Sequence, residues 1–138
     1  MFRREIEARK PYLLEDGRRH HVEEHVRSQW LRWQEASNRA LAPFGVVYDD
    51  VLMLAIMAEI ARHTLYPSQK RLAIELEISK VAVARSLARL EKRGYVRRRY
   101  SGCDRRVRRS RATLAGKALL LRCEELFAAL RHEVFAPD

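Results

Sequence analysis

A mostly α chain with one small β-hairpin is the fold class this sequence predicts, and three observations predict it. Two short helical segments stand about three residues apart near the middle of the chain. An arginine-rich stretch with strand-like alternation follows the second of them directly. Two longer amphipathic segments flank this centre.

At 138 residues and 47% hydrophobic content, the chain holds one core and is too short for two comfortable ones. The net charge is +10, and its distribution says more than its size. Between Lys92 and Arg111 there are ten basic residues and one acid, Asp104, while the remainder carries 18 basic and 17 acidic residues. One twenty-residue block therefore holds +9 of the excess. That is the footprint of a polyanion partner.

Other classes are excluded in turn. The longest apolar run, Val51 to Ala58, is too short to cross a bilayer, so no membrane partner is expected. No signal peptide is visible behind Met1-Phe2-Arg3-Arg4-Glu5. Cys103 and Cys123 make no disulfide framework, and a cytoplasmic, reducing setting is the simplest reading. No Ser/His/Asp set, Gly-rich phosphate loop or carboxylate pair suggests an enzyme, and no cofactor is expected.

Along the chain, a charged helical piece from Phe2 to Lys10 is interrupted at Pro11 and closed by Asp16-Gly17. From Arg18 to Leu41, Val22, Val26, Trp30, Trp33 and Ala40 recur near helical spacing, and "LAPFG" ends the segment. A second helix fits Val47 to His63; apolar on more than one face, it belongs at the centre of the domain. Ser68 caps the next, with Arg71 where a capping box wants Glu or Gln and with Leu72, Ala73 and Leu76 on its apolar side. Ser79 caps the fourth, whose stripe is Val83, Leu87 and Leu90 and whose stop is Gly94. Tyr95 to Tyr100 and Val107 to Ala112 make two strands around a turn at Gly102. A hairpin directly behind a helix-turn-helix is a wing. Thr113 then caps Leu114 to Phe135, with Leu119, Cys123, Leu126, Leu130 and Val134 as its stripe.

This winged helix-turn-helix directs the chemistry toward double-stranded DNA. Strand parity turns Arg97 and Arg99 outward to phosphates, and the packing face holds Val96, with Tyr100 as a second candidate. Arg105 and Arg106 lie at the tip, where a guanidinium fits a narrow minor groove, and Arg108 follows on the second strand. Asp104 either holds a neighbouring guanidinium or shapes the turn. On the preceding helix, Ser79, Lys80, Ala82, Arg85 and Arg89 avoid the apolar stripe. Arg85 is the candidate for guanine readout, and Lys80 and Arg89 for phosphates. Ser68 and Gln69, at a helix start, are backbone-contact candidates.

Several signals are declined. His20, His21 and His25 lack a ligand set, so no metal is expected. Trp30 and Trp33 fit core or dimer packing better than an effector pocket. Cys103, among arginines, is set up for reactivity but reads as a tolerated loop cysteine; Cys123 reads as core.

The stretch "ISKVAVARSLARLEKRGYVRRRYSGCDRRVRRSRATLAGKALL" resembles the MarR family of bacterial winged-helix transcription regulators. The likeness is carried by the Ser79 start, Arg85, the "LEKRG" of Leu90 to Gly94, the Asp104-Arg105-Arg106 tip, and Thr113 with Gly116. "ALAPFG" at Ala40 to Gly45 and Leu72-Ala73 extend it upstream, so that it spans roughly residues 37–121. It implies a homodimer on a pseudo-palindromic operator, of repressor type, with Arg106 in the minor groove positioned by Asp104. Several members respond to small aromatic acids or oxidants, so a small-molecule effector is a further expected partner. The peroxide-sensing branch places its cysteine near the N-terminus, where this chain has none. Ala82 and Ala84 stand where the family often has threonine, Ser110 and Ala112 where it has larger apolar residues, and Val47 at a frequent threonine cap.

The expected organisation is an N-terminal helical dimerisation region (1–45), a winged centre (46–113) and a C-terminal dimerisation helix (114–138). Two rival readings remain: a non-specific architectural binder of DNA or RNA, and a basic module that docks an acidic partner.

Overall fold

The computed structural model describes residues 24–63, 66–100 and 107–135. Among them are five α-helices and one two-stranded antiparallel hairpin. The helical piece expected at Phe2 to Lys10, the beginning of the first long helix, the turn at Gly102 and Cys103 lie outside the described residues, as does the side chain of His25.

Helix α1 (Glu24–Leu41) buries Trp33, Ser37 and Leu41, one turn apart each time, so its inward line is set by steps of four. The buried Ser37 hydroxyl donates back to Trp33 O at 2.7 Å, which spares it a desolvated, unpaired state. Val26, expected on the stripe, is exposed. A single 3-10 turn (Ala42–Phe44) ends at Gly45, whose φ of 75° is the left-handed conformation that glycine adopts without a Cβ penalty.

Helix α2 (Tyr48–Ala61) is the centre of the core, with Val51, Leu52, Leu54, Met53 and Met57 all buried. Its N-cap, Val47, has no acceptor side chain, and two others take over. Asn38 Oδ1 accepts from Tyr48 N–H at 2.6 Å, and Asp50 Oδ2 from Val47 N–H at 3.1 Å.

Helix α3 (Gln69–Leu76) starts on Ser68, whose Oγ accepts from Arg71 N–H, and ends at Glu77. With φ 55°, Glu77 is a non-glycine residue in left-handed backbone. Helix α4 (Lys80–Lys92) starts on Ser79, whose Oγ accepts from Ala82 N–H, and fully buries Val83, Leu87 and Leu90 as expected. It closes with paired bonds from Tyr95 N–H to Leu90 O and from Gly94 N–H to Glu91 O. That double closure requires the left-handed turn Gly94 makes, at φ 80°.

Strands β1 (Val96–Tyr100) and β2 (Arg108–Ala112) pair with Val96 opposite Ala112 and Tyr100 opposite Arg108. The sequence reading missed a third short partner. Residue Ser68 bridges Arg109, and Ser110 N–H donates to Pro67 O at 3.0 Å, so the chain ahead of α3 extends the sheet. Proline suits this edge, where its missing N–H costs nothing.

Helix α5 (Leu114–Phe135) matches its expected bounds. Thr113 Oγ1 accepts from Gly116 N–H and donates to Gly94 O at 2.6 Å, which pins the start of α5 to the end of α4. A Cβ on Gly116 would overlap the Tyr95 carbonyl oxygen, so this joint admits only glycine. Leu119, Cys123 and Phe127 are buried, and burial pushes the Cys123 thiol up to about 11. An aromatic cluster joins three helices, with ring centroids 5.8 Å apart for Trp33 and Tyr48, 5.5 Å for Trp33 and Phe127, and 5.4 Å for Tyr48 and Phe127. Trp33 is therefore core, and α1, α2 and α5 share one hydrophobic cluster with the helix-turn-helix. Among the described residues no single helix is long and apolar enough to cross a membrane, and no group of metal-ligating side chains comes together.

Candidate nucleic-acid interface

Helix α4 and the hairpin meet along one side of the molecule and carry the cations the sequence singled out. With its apolar stripe buried, α4 leaves Lys80, Val81, Arg85, Ala88, Arg89 and Lys92 exposed. Ser79 is exposed and occupied in capping; Ala82 is half-buried. Arg85 is exposed and carries no ion pair among the described residues.

Arg89 stands differently. Its Nε donates to Asp50 Oδ2 at 3.1 Å and its Nη2 to Asp50 Oδ1 at 2.9 Å, and Ser86 Oγ donates to Oδ1 at 2.6 Å. Asp50 is fully buried and has an acceptor site filled from α4 on both of its oxygens and from its own N-cap on one. The hydrogen bond to Asp50 outweighs desolvation and holds the Arg89 guanidinium more firmly protonated than usual. Its side chain is 47% exposed, so the outer edge still faces solvent. The sequence reading overlooked this network because Asp50 and Arg89 lie far apart in the chain.

In the hairpin, the register places Arg97 across from Arg111 and Arg99 across from Arg109. Side chains directly opposite share a face, so four arginines stand together on the outer side of a two-stranded sheet. Arg97, Arg99 and Arg111 are exposed with no ion pair among the described residues, while Arg109 Nη1 donates to Tyr66 O at 2.8 Å. Arg109 and Arg111 were not singled out from the sequence. Alternation from the buried Ser110 would have found both.

The inner side sorts otherwise. Val96 is buried as expected, but Tyr100 is 59% exposed and does not pack on the helices. It meets Arg108 instead, whose guanidinium lies 5.2 Å from the ring centroid. The structure thus puts Arg108 on the face opposite Arg97 and Arg99. Arg98, also inward, donates to Glu91 Oε1 from Nε at 3.2 Å and Nη2 at 2.9 Å, tying β1 to α4. This bond holds the Glu91 carboxyl below the usual carboxylate range. Ser68 is spent on its cap and its bridge to β2, with the half-buried Gln69 beside it. Asp104, Arg105 and Arg106 lie outside the described residues.

Known proteins resemble this helix-turn-helix and its arginine-faced wing in sequence and in shape. Residues 54–107 match the model of the MarR family. The fold is that of the MarR regulators. The regulator BldR of Sulfolobus solfataricus superposes with a TM-score of 0.68 at 24% identity, over 82% of this chain and 78% of that one. A mutant MarR of E. coli complexed with operator DNA gives 0.68 at 22% identity, over 79% and 76%. CouR of Rhodococcus jostii, bound to p-coumaroyl-CoA, gives 0.66 at 22% identity, over 82% and 77%. No curated protein matches the sequence. The segment matched in sequence carries α3, α4 and β1 and ends just before β2, and the shared fold covers about four-fifths of the chain.

Proposed function

We propose that this chain is a sequence-specific, double-stranded-DNA-binding transcription regulator of repressor type. It acts as a homodimer on a pseudo-palindromic site in the cytoplasm and has no catalytic activity. The observation that carries this reading is the outer hairpin face, where Arg97, Arg99 and Arg111 stand together without ion pairs among the described residues, with Arg85 exposed on α4.

Like charges directly opposite on a sheet repel one another. Phosphate contact relieves that repulsion, and arginine grips phosphate bidentately while counterions are released. A capped helix with an exposed arginine in its second turn is shaped for base edges in the major groove. The likeness to the DNA complexes of E. coli MarR and S. aureus MepR supports the same use of the fold. Asp104, Arg105 and Arg106 enter the reading as the wing tip, and Arg89, held by Asp50, as a phosphate contact.

For the dimer, α1 and α5 pack on each other and leave Val26, Leu31, Leu121 and Phe135 exposed, an apolar surface a second copy would cover. The division into two flanking dimerisation regions and a winged centre follows from that pairing. A small-molecule effector enters on the likeness to CouR with its bound p-coumaroyl-CoA.

The test is binding across a salt series to duplexes selected from a random pool and to scrambled versions of them. The selected duplexes should be near-palindromic and bound more tightly than their scrambled forms. Arg85→Ala should cost about 1–3 kcal/mol of discrimination at one guanine. Equal affinity and equal salt dependence for every duplex would replace this reading with non-specific binding. A strong loss of duplex selectivity on Arg85→Ala would exclude a module that docks an acidic protein.

A further inference from the structure

The outward face of α4 has a central line that two charged and two apolar residues share. At 3.6 residues per turn, Val81, Arg85, Ala88 and Lys92 fall within about 60° of one another around the helix, opposite the buried Val83, Leu87 and Leu90. Lys80, Ala82 and Arg89 lie to either side of this line. Val81 sits in the first turn, one residue past Lys80, and is 60% exposed. A β-branched residue does not favour this helix intrinsically, since branching restricts its rotamers there. Scattered surface valines are ordinary. This one heads the single line of side chains that a major-groove ligand would meet first.

We infer that Val81 is a second base-reading residue, which packs its methyl groups against the 5-methyl of a thymine. That methyl is the one apolar feature of the major-groove edges, and a valine side chain is complementary to it. This assignment rests on the DNA-binding reading above. Val81 and Arg85 are one turn apart, about 6 Å along the helix axis, and base pairs are stacked about 3.4 Å apart. The thymine therefore lies within about two base pairs of the guanine taken by Arg85. Ala88, next along the line, adds no bulk to hold the helix off the base edges.

Uracil differs from thymine by this methyl alone, which makes the test direct. The full chain and its Val81→Ala variant are titrated with the duplex selected from the random pool. The titrations are repeated with deoxyuridine replacing each thymidine of one half-site in turn. At one position, the replacement should weaken the wild-type chain about fourfold, the effect of one buried methyl-sized group, and leave Val81→Ala unchanged. Val81→Thr, which keeps one methyl and the branched shape, should retain part of the discrimination. Alanine is the best helix former and the site is exposed, so the variant keeps its fold, checked by its thermal melt.

Equal penalties for both proteins at every position overturn the assignment. If Arg85→Ala still loses its guanine while the uracil scan is flat, the regulator reading stands and Val81 alone is wrong. If the chain selects no duplex, both fall together.

Discussion

Helix α4 and the hairpin behind it are both rich in arginine, and they treat it differently. On the helix, Arg89 is bound by a buried carboxylate contributed from α2, and Arg85, one turn earlier, is left open. In the hairpin, Arg98 alone has a carboxylate partner among the described residues, and the outer face sets two pairs of arginines opposite each other. The helix can afford its charge because it has a packed side whose core offers a partner. On the outer face of the hairpin, Arg109 reaches the Tyr66 carbonyl, and no carboxylate among the described residues meets the other three. On the reading proposed above, an external anion relieves this charge, so the hairpin's electrostatics would belong to the complex and the helix's to the fold.

Removing the carboxylate that makes the helix side self-sufficient breaks this contrast most severely. Asp50→Ala should lower unfolding stability by about 3 kcal/mol, because it strands Ser86, the Val47 N–H and one edge of Arg89 at once. Urea denaturation measures it, and a loss no larger than that of a surface substitution would mean the network is not holding α4.

Replacing Arg97, Arg99 and Arg111 together by alanine should have the opposite character. Stability should hold or rise, while the slope of log affinity against log salt for duplex DNA falls by about 2.7 per protomer. A triple variant that loses stability without a change in slope would erase the distinction between the two regions.

A smaller effect is expected where the regions are joined. The Arg98 bond lowers the Glu91 carboxyl, so this pair contributes stability above the unfolded carboxyl value and loses it as pH falls through the lower folded one. Glu91 is partly exposed, so the acid-range loss should be at most about 1 kcal/mol, and Glu91→Gln should remove that portion of the pH dependence. Smallest of all, Glu77→Gly should stabilise the turn between α3 and α4 by about 0.5 kcal/mol, as relief of left-handed backbone is partly offset by glycine's chain entropy. Thermal melts of the two proteins check it.

Much of this architecture was readable in the chain. The Val83, Leu87 and Leu90 stripe, the caps at Ser68, Ser79 and Thr113, and the stop at Gly94 all follow from local spacing and turn chemistry. Less readable was the site. Parity within β1 put Arg97 and Arg99 outward, and the cross-strand register sets Arg111 and Arg109 opposite them. Tyr100 was a candidate for packing and is exposed, its ring meeting the Arg108 guanidinium instead. Val81 was passed over in favour of its charged neighbours, although the angle opposite the buried stripe was calculable from the sequence.

By itself, the sequence determined the order and type of the elements and the concentration of charge in one segment, since helix periodicity, caps and composition are local properties. Only the tertiary structure decided which arginines are already spent. Asp50 reaches Arg89, Tyr66 reaches Arg109 and Glu91 reaches Arg98 across separations that no local pattern encodes. A cation's availability depends on what folding brings within about 3 Å of it, and that is a property of packing.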